Sequence, residues 1–577
     1  MSGFTAVIFK NKKAIDFSKA FSFCHEHESK MSVRKFEGVN YIVQQLVNNK
    51  FSADTILEQN DDYFIGIEGV LLNLGELKPV LSVSENSTFN LLISLYEKYG
   101  DDFVKQLRGE FSGFIFDKKA DKWFVFTNQT GSKRIFIFEN SNYLFFASEL
   151  NRISLLMKVA GLVPVLLKDA AYSLLTSGFM LNEITFIEGV QRLMPGCYLK
   201  FEKQTSTVNN YFHLRNIERT NHAKAQQIER VDDLFRQAIK REFEKDKQYN
   251  YRHIATLSGG LDSRMTVLMA HKMGYDEQLN FTFSQANYLD EQIAKQIAID
   301  HQHEFLFQSL DHGNYLRNID EVVAYNDGMV LFSGAAHVLK SCKNMNFDDY
   351  GLIHTGLIGD AVLGSFLTQP YVVKPAISAS VYSSKLLHKS QNYIAEVQQG
   401  FESEELYKFY GRGFMGAMNG NYYFDVFSQS VSPFLDVDFL SYCYSIPDAA
   451  KFKQKIYIDW IALKNKEFAA YPWEKTGVSP LKSLNNQKYL VPAYYKRMSL
   501  KFFDKLSGKM KSGMNPFDYW LAQNEQLSTY FSNYFQHNID LIVDDELRAD
   551  CKWLFDKGNW GERFQVLTLL AAVKLHF

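Results

Sequence analysis

The stretch Ser258-Gly259-Gly260-Leu261-Asp262-Ser263 has the residue types of a phosphate cradle. Ser258, Gly259 and Gly260 carry little or no side chain, so their backbone N–H groups can approach an oxyanion closely. Ile254–Leu257 ahead of it reads as a short apolar strand. An apolar-periodic helix opens near Ser263 and points its positive end at the same spot. A carboxylate in such a turn repels bare phosphate, so Asp262 makes sense with a divalent cation such as Mg²⁺ between the two anions. The chemistry is capture of a nucleotide pyrophosphate, with Leu257, Ser258, Gly259, Gly260, Leu261, Asp262 and Ser263 as candidates. The plain alternative, a glycine-rich turn without ligand, fits poorly with six such positions in a strand–turn–helix context. No Gly-Lys-Ser/Thr follows, so this is not a Walker A loop.

The elements around the turn must hold it at the edge of a sheet. Strands at 254–257, 279–283, 304–308 and Leu352–Thr355 alternate with helices at 263–273 and 290–299. That pattern predicts a parallel sheet with helices on both faces, whose ligands sit beyond the carboxyl ends of the strands. Ser258, Ser284 and Thr355 fall there. A helix from about Ala223 to Glu244 precedes the sheet; beyond residue 400 the chain reads mostly helical, closing with an amphipathic segment at Trp560–Phe577. Residues 1–150 differ. Aromatic and β-branched runs at Thr5–Phe9, Tyr63–Ile67, Phe111–Phe116, Trp123–Thr127, Arg134–Phe138 and Tyr143–Ala147 predict stacked antiparallel sheets, with one helix over Ser87–Tyr99 stopped by Gly100.

Composition narrows the setting. At 577 residues the chain exceeds one core, and 46% hydrophobic with 22% charged residues is ordinary for a soluble protein. A net charge of −2 offers no polyanion-binding surface, so no nucleic acid partner is expected. The cysteines are scattered without a CxxC pair, which fits a reducing cytoplasm. No apolar run reaches membrane-spanning length and the start lacks signal-peptide features, so a soluble, cytoplasmic protein is expected. The aromatic fraction, 15%, is high without a reason visible in the sequence.

Three further pieces occur in order: Gly69–Leu77, the run from Tyr99 to Asp117 containing Leu107-Arg108-Gly109-Glu110-Phe111, and Phe145-Phe146-Ala147-Ser148-Glu149. They resemble the glutamine amidotransferase domain at the front of asparagine synthetases. The resemblance implies an N-terminal-nucleophile (Ntn) fold, where an N-terminal cysteine activated by its own α-amine hydrolyses glutamine. Position 2 is Ser2, a far weaker nucleophile at neutral pH. The family's Ala-Arg-Asp-Arg-x-Gly stands here as Phe126-Thr127-Asn128-Gln129-Thr130-Gly131, and its Ser-Asp-Thr-Glu helix start as Asn86-Ser87-Thr88-Phe89-Asn90. The Arg and Asp positions that grip glutamine are missing, so the front domain is read as structural and inactive as a glutaminase. Phe186–Leu199, with Pro195-Gly196, matches the family's approach to its second domain. The domains are then 1–150, amidotransferase-like; 151–215, a connector completing it; and 216–577, the synthetase domain.

The same resemblance covers the rear. Ser258–Ser263 matches the PP-loop of ATP pyrophosphatases, which split ATP into AMP and pyrophosphate. Thr355-Gly356-Leu357-Ile358-Gly359-Asp360-Ala361 stands where the family has Ser-Gly-Glu-Gly-x-Asp-Glu. This implies that Thr355 and Gly356 contact the AMP portion and that Asp360 is a second metal carboxylate. Asp262 and Asp360, each beside a Gly-rich turn, suit a Mg²⁺–pyrophosphate complex held from both sides. Trp473-Glu474-Lys475-Thr476-Gly477-Val478 is similar to the family's lysine segment, which implies Lys475 as the catalytic charge that stabilises the amide-forming step. Leu357 and Ala361 replace glutamates. β-Lactam synthetase-like and lasso-peptide cyclase-like relatives tolerate a non-acidic residue there, use no glutamine, and take their amine from within the substrate. Val431–Asp436 carries the family's Pro-Phe-Leu-Asp, read as a structural anchor.

The expectation is therefore an α/β chain (α+β overall): an Ntn-type stacked β-sheet domain, then a PP-loop parallel-sheet domain with a helical C-terminal region. It would use ATP and Mg²⁺ to join a small-molecule or peptide carboxylate to an amine, without nucleic acid or membrane partners; a homodimer stays open. A true asparagine synthetase and a non-catalytic scaffold stay open as well. Cys24-His25-Glu26-His27 lacks a completing metal ligand and reads as a surface helix. The acidic start at Asp290-Glu291 is explained by capping, Tyr422 and Tyr423 by core packing, and the lysine-rich run 497–511 by a solvated face.

Overall fold

The computed structural model describes residues 2–11, 15–21, 31–81, 87–484, 495, 499 and 513–577. The Cys24–His27 group and the lysine-rich run 497–511, save Ser499, lie outside them.

Strand Gly3–Phe9 shows how the front is built. All seven residues are buried. Phe4, Ala6 and Ile8 point into the core between two sheets, while Val7 and Phe9 point to the opposite side, as the two-residue period of a strand requires. Its sheet has six strands, in the order Val190–Arg192, Phe136–Glu139, Tyr143–Ala147, Gly3–Phe9, Tyr41–Val47 and Ser32–Glu37. A second six-stranded sheet runs Thr205–Asn210, Cys197–Glu202, Lys122–Thr127, Gly109–Asp117, Tyr63–Leu71 and Leu57–Gln59. Every pairing in both is antiparallel. Aromatic rings make up much of this core: Phe64, Phe114, Trp123 and Phe146 fill the space between the sheets, with Phe116 stacked on Trp123 at 4.4 Å.

Helices close the outer faces. Thr88–Tyr99, capped by the Ser87 side chain and ended by Gly100 at φ 58°, covers the second sheet with Phe89, Leu92 and Leu95. Leu150–Val159 and Lys168–Ser177 cover the first. The outer core on that side also takes in the helix Trp560–His576. Gln565 donates to the Leu174 carbonyl at 3.1 Å, and Gly328 lets the Ala572 methyl approach to 2.5 Å from where a Cβ would stand.

The rear sheet is parallel and five-stranded, in the order Glu304–Ser309, Gln278–Ser284, Arg252–Thr256, Tyr350–His354 and Ser430–Val431. Its strands feed the helices Asp262–Lys272 and Leu289–Asp300. The 25-residue helix Lys224–Gln248 packs alongside. The chain beyond residue 400 is helical, but Ser430–Val431 re-enters the sheet as its edge.

A seam of buried charge joins front to rear. Lys133 pairs with Asp425 at 2.7 Å, Arg134 with Asp327 at 3.2 Å, and Lys245 with Asp54 at 2.9 Å, all side chains 7% exposed or less. Among the described residues no helix is long and apolar enough to cross a membrane.

Candidate active site

The Ser258–Ser263 turn follows the central strand Arg252–Thr256 and opens into a cleft of about 500 Å³. Its amides are already engaged. The Ser258 amide donates to Ser263 Oγ at 3.0 Å, the Gly259 amide to Asp290 Oδ1 at 2.8 Å, and the Gly260 amide to Ser258 Oγ at 3.2 Å. Asp290 thus places a carboxylate oxygen where the turn would otherwise receive an anion. Capping does not explain this residue: it reaches across to the turn rather than to its own helix, whereas the neighbouring Glu291 accepts from the Asn287 amide at 2.6 Å. Burial, and secondarily the Glu474 carboxylate, push Asp290 up to about 6.

Asp262 and Asp360 meet. The Asp360 amide donates to Asp262 Oδ2 at 2.9 Å and the Tyr457 hydroxyl to Asp262 Oδ1 at 3.0 Å. Burial, then the Asp360 carboxylate, push Asp262 up to about 8, while Lys475 pulls the other way. An acidic pair this poorly compensated, with oxygen donors only, fits a hard divalent cation such as Mg²⁺. The close approach depends on glycine: a Cβ on Gly356 would stand 2.3 Å from the Ser263 amide nitrogen, and one on Gly359 2.8 Å from Asp262 Cγ. Ile358 between them sits at φ 52°, a strained conformation for a β-branched residue, of the kind that concentrates at functional sites.

Leu257, Ser258, Gly260, Asp262, Ser263, Thr355 and Gly356 line the cleft; Gly259 and Leu261 complete the turn behind them. Ser284 does not join them. It is fully buried, and its hydroxyl donates to the Gln285 carbonyl at 2.8 Å; Phe281, Thr282 and Phe283 of the same strand form the wall instead. Thr355 gives its hydroxyl to the Val431 carbonyl at 2.9 Å. Leu357 lines the cleft, whereas Ala361 is core. Lys475 lies exposed on the turn Trp473–Val478, its Nζ 5.5 Å from the Trp473 ring centre. The Glu474 amide docks that turn on the Gly259 carbonyl at 3.0 Å, and Arg264 clamps it by donating to the Pro472 carbonyl at 2.6 Å. Tyr423 gives its hydroxyl to the Val322 carbonyl at 2.7 Å, as core packing predicts. Asp436 caps the helix Val437–Ser445 and accepts from Arg241 at 2.8 Å, an anchor as read.

In the front domain Ser2 is buried, its hydroxyl without a hydrogen-bond partner among the described residues. Asn128 donates to the Gly109 carbonyl at 2.8 Å and Gln129 to the Leu107 carbonyl at 3.2 Å, so the side chains replacing the family's gripping residues are engaged with nearby backbone.

A stacked antiparallel sandwich stands ahead of a parallel sheet that carries this turn. Residues 46–212 match the family model described as a glutamine amidotransferase domain. The chain is 25% identical over 328 residues to "Putative asparagine synthetase [glutamine-hydrolyzing] 2" of Methanocaldococcus jannaschii, covering 55% of this chain and 62% of that protein. It is 26% identical over 286 residues to "Asparagine synthetase [glutamine-hydrolyzing] 2" of Bacillus subtilis, covering 46% and 37%. The chain thus spans less than two thirds of either relative. Among solved structures, glutamine phosphoribosylpyrophosphate amidotransferase from B. subtilis is similar at a TM-score of 0.26 and 12% identity, over 72% of this chain and 94% of that one. The chain is thus similar to a glutamine amidotransferase domain over residues 46–212 and, over about half of its length, to proteins named as asparagine synthetases.

Proposed function

We propose that the chain is an ATP-dependent amide-bond-forming ligase that adenylates a substrate carboxylate and passes the acyl group to an amine without hydrolysing glutamine. The observation that carries this reading is the meeting of Asp262 and Asp360 across Gly356, at the mouth of a glycine-rich turn beyond the central strand of a parallel sheet. A carboxylate oxygen attacks the α-phosphorus of ATP, the bond to pyrophosphate breaks, and the acyl-adenylate forms. An amine then attacks the acyl carbon, loses a proton, and AMP leaves. Bound Mg²⁺ would be held by Asp262 and Asp360 and would neutralise the leaving pyrophosphate. The start of helix Asp262–Lys272 orients the phosphates, and the Gly259 amide joins it once the Asp290 carboxylate that now accepts from it moves aside. Tyr457 fixes the Asp262 carboxylate. Lys475, on a turn docked against Gly259, is the charge for the developing oxyanion.

The relatives' names favour the alternative, an asparagine synthetase fed by glutamine or ammonia. Ser2 in place of a cysteine, Leu357 in the cleft and Ala361 in the core support the first reading. A scaffold role has no use for the paired carboxylates.

The test is ATP–pyrophosphate exchange over a panel of carboxylates including aspartate, beside a glutaminase assay. Asp262→Asn and Asp360→Asn are each expected to slow exchange by about 10²–10³-fold. Exchange at the wild-type rate in Asp262→Asn sinks the metal assignment, and Ser2-dependent glutamate release overturns the reading of the front domain.

A further inference from the structure

Three histidines meet at the end of the parallel sheet away from the cleft. His271 lies in the last turn of the helix Asp262–Lys272, His301 ends the helix Leu289–Asp300, and His303 directly precedes the strand Glu304–Ser309. Both helices start beside the phosphate turn, and the length of the first puts the cluster roughly 13 Å from it. His303 is 8% exposed, while His271 and His301 are partly open to solvent. The three ring centres are 4.7, 5.0 and 6.0 Å apart. Imidazoles bound to one tetrahedral ion, at about 2.0–2.1 Å per nitrogen, place their ring centres about 5 Å apart.

A chain of fixed amides sets which nitrogen is bare. Gln278 Nε2 donates to the Tyr275 carbonyl at 2.6 Å and the Val267 carbonyl at 3.2 Å, so its Oε1 faces the Asn280 amide nitrogen at 3.4 Å. Asn280 Oδ1 is left to accept from His303 Nδ1 at 2.8 Å. The His303 lone pair is therefore on Nε2, 2.9 Å from His271 Nδ1. Metal-binding histidines are oriented in this way, by an acceptor that holds the far nitrogen. Burial, then the His271 and His301 rings, hold His303 down to about 4, so it is neutral at ordinary pH. The surroundings favour a cation. Two helix C-termini converge here, and Asp276 and Asp300 are close enough to draw positive charge. Lys272 is drawn off to Glu467 at 2.7 Å.

We infer that His271, His301 and His303 form a binding site for a late first-row divalent cation, Zn²⁺, with water in the fourth position. The ion enters between His271 Nδ1 and His303 Nε2, which open from 2.9 Å to about 3.3 Å. The His271 proton passes to its Nε2, and the partly exposed His301 turns a ring nitrogen inward. The ion pins together the far ends of the two helices whose starts frame the phosphate turn. The buried group Asp246, His253 and His354 also brings its ligand atoms within 4.8 Å of one another. There, however, both imidazoles already lie against the Asp246 carboxylate at 2.8 Å.

The test uses the full chain, stripped with a chelator and then held in excess Mg²⁺ to compete for the Asp262–Asp360 pair. Wild type is compared with His271→Gln, His301→Ala and His354→Gln. Each is titrated with Zn²⁺, and with Co²⁺ read by its visible absorption. Wild type is expected to take up one Zn²⁺ per chain with a Kd of about 1 μM or below, to give the absorption of tetrahedral Co²⁺, and to melt higher with metal than without. His271→Gln and His301→Ala are expected to weaken binding by about tenfold or more, and His354→Gln to leave it unchanged. His301 is partly exposed, so His301→Ala should keep the wild-type melting temperature in chelator and the wild-type affinity for Mg·pyrophosphate. No saturable Zn²⁺ uptake by wild type, or equal uptake by His301→Ala, overturns the site. Uptake kept in His271→Gln but lost in His354→Gln moves the ion to the buried group and overturns it as well.

Discussion

At the scale of single residues, the candidate site depends on how closely two turns approach. Gly356 is the position where this is testable without touching a carboxylate. Its missing Cβ would fall 2.3 Å from the Ser263 amide and 2.4 Å from the Asp262 carbonyl carbon, so Gly356→Ala forces the turns apart. Mg·pyrophosphate binding is expected to weaken by about 10–100-fold, with far-UV circular dichroism unchanged. Calorimetric titration checks it, and a wild-type affinity removes Gly356 from the site. Much of this was legible locally: the residues from Ser258 to Ser263 and from Thr355 to Asp360 are contiguous, and their chemistry is carried by glycine and aspartate spacing. Tyr457 and Asp290 were not, because each reaches the cleft through tertiary packing; Tyr457 lies 195 positions from the carboxylate it holds. Ser284 failed for a related reason. Strand ends mark where a cleft lies, but not how far along the strand it reaches: Thr282, on the same side of the pleat, lines the cleft, whereas Ser284 turns its hydroxyl to the Gln285 carbonyl.

At the scale of elements, the strands read best where they are apolar throughout, and the parallel sheet was found nearly complete. Strand Tyr41–Val47 escaped because Gln44 and Gln45 interrupt its apolar run; both are buried, and Gln45 donates to the Ile67 carbonyl at 2.7 Å. Strand Ser32–Glu37 is a mostly polar edge with no apolar period to detect. The helix Lys224–Gln248 is held to the sheet by a buried cluster. Asp246 bonds both His253 and His354 at 2.8 Å, and Glu242 lies 3.2 Å from His354. Burial opposes a charge on His354, but Asp246 and then Glu242 more than offset it, raising His354 from 6.5 to about 9. Burial likewise lifts Glu242 from 4.5 to about 7. Both groups hold protons in the folded state that the unfolded chain has released. The stability from His354 is therefore full below about 6.5 and lost as pH rises through about 9, and Glu242 adds a loss of the same sign between about 4.5 and 7. Denaturant midpoints are expected to fall as pH rises from 6.5 to 9, and His354→Gln to flatten that limb. A flat wild-type profile removes the charged imidazole.

At the scale of the whole molecule, the two halves are joined both by paired charges out of water and by an apolar core that runs from Val7 and Leu150 to Ile254 and Leu570. Removing one member of such a pair leaves the other buried alone. Lys133→Met is expected to cost about 3–5 kcal/mol, and adding Asp425→Leu to recover part of it. Urea unfolding of the two variants decides, and equal stability of the single and double variants denies that the pair is coupled. No local pattern announces this seam, since Lys133 and Asp425 are 292 positions apart. The helix Trp560–His576 extends the same theme in time. The front helices Leu150–Val159 and Lys168–Ser177 find part of their core in it: Ser154 caps the His576 carbonyl 422 positions on, and Leu174 receives Gln565 from 391 positions on. At about 5–20 residues per second a ribosome needs roughly 20–80 s to bridge that gap. For that interval the front helices are outside the ribosome with the apolar flank that the distant helix later covers still bare.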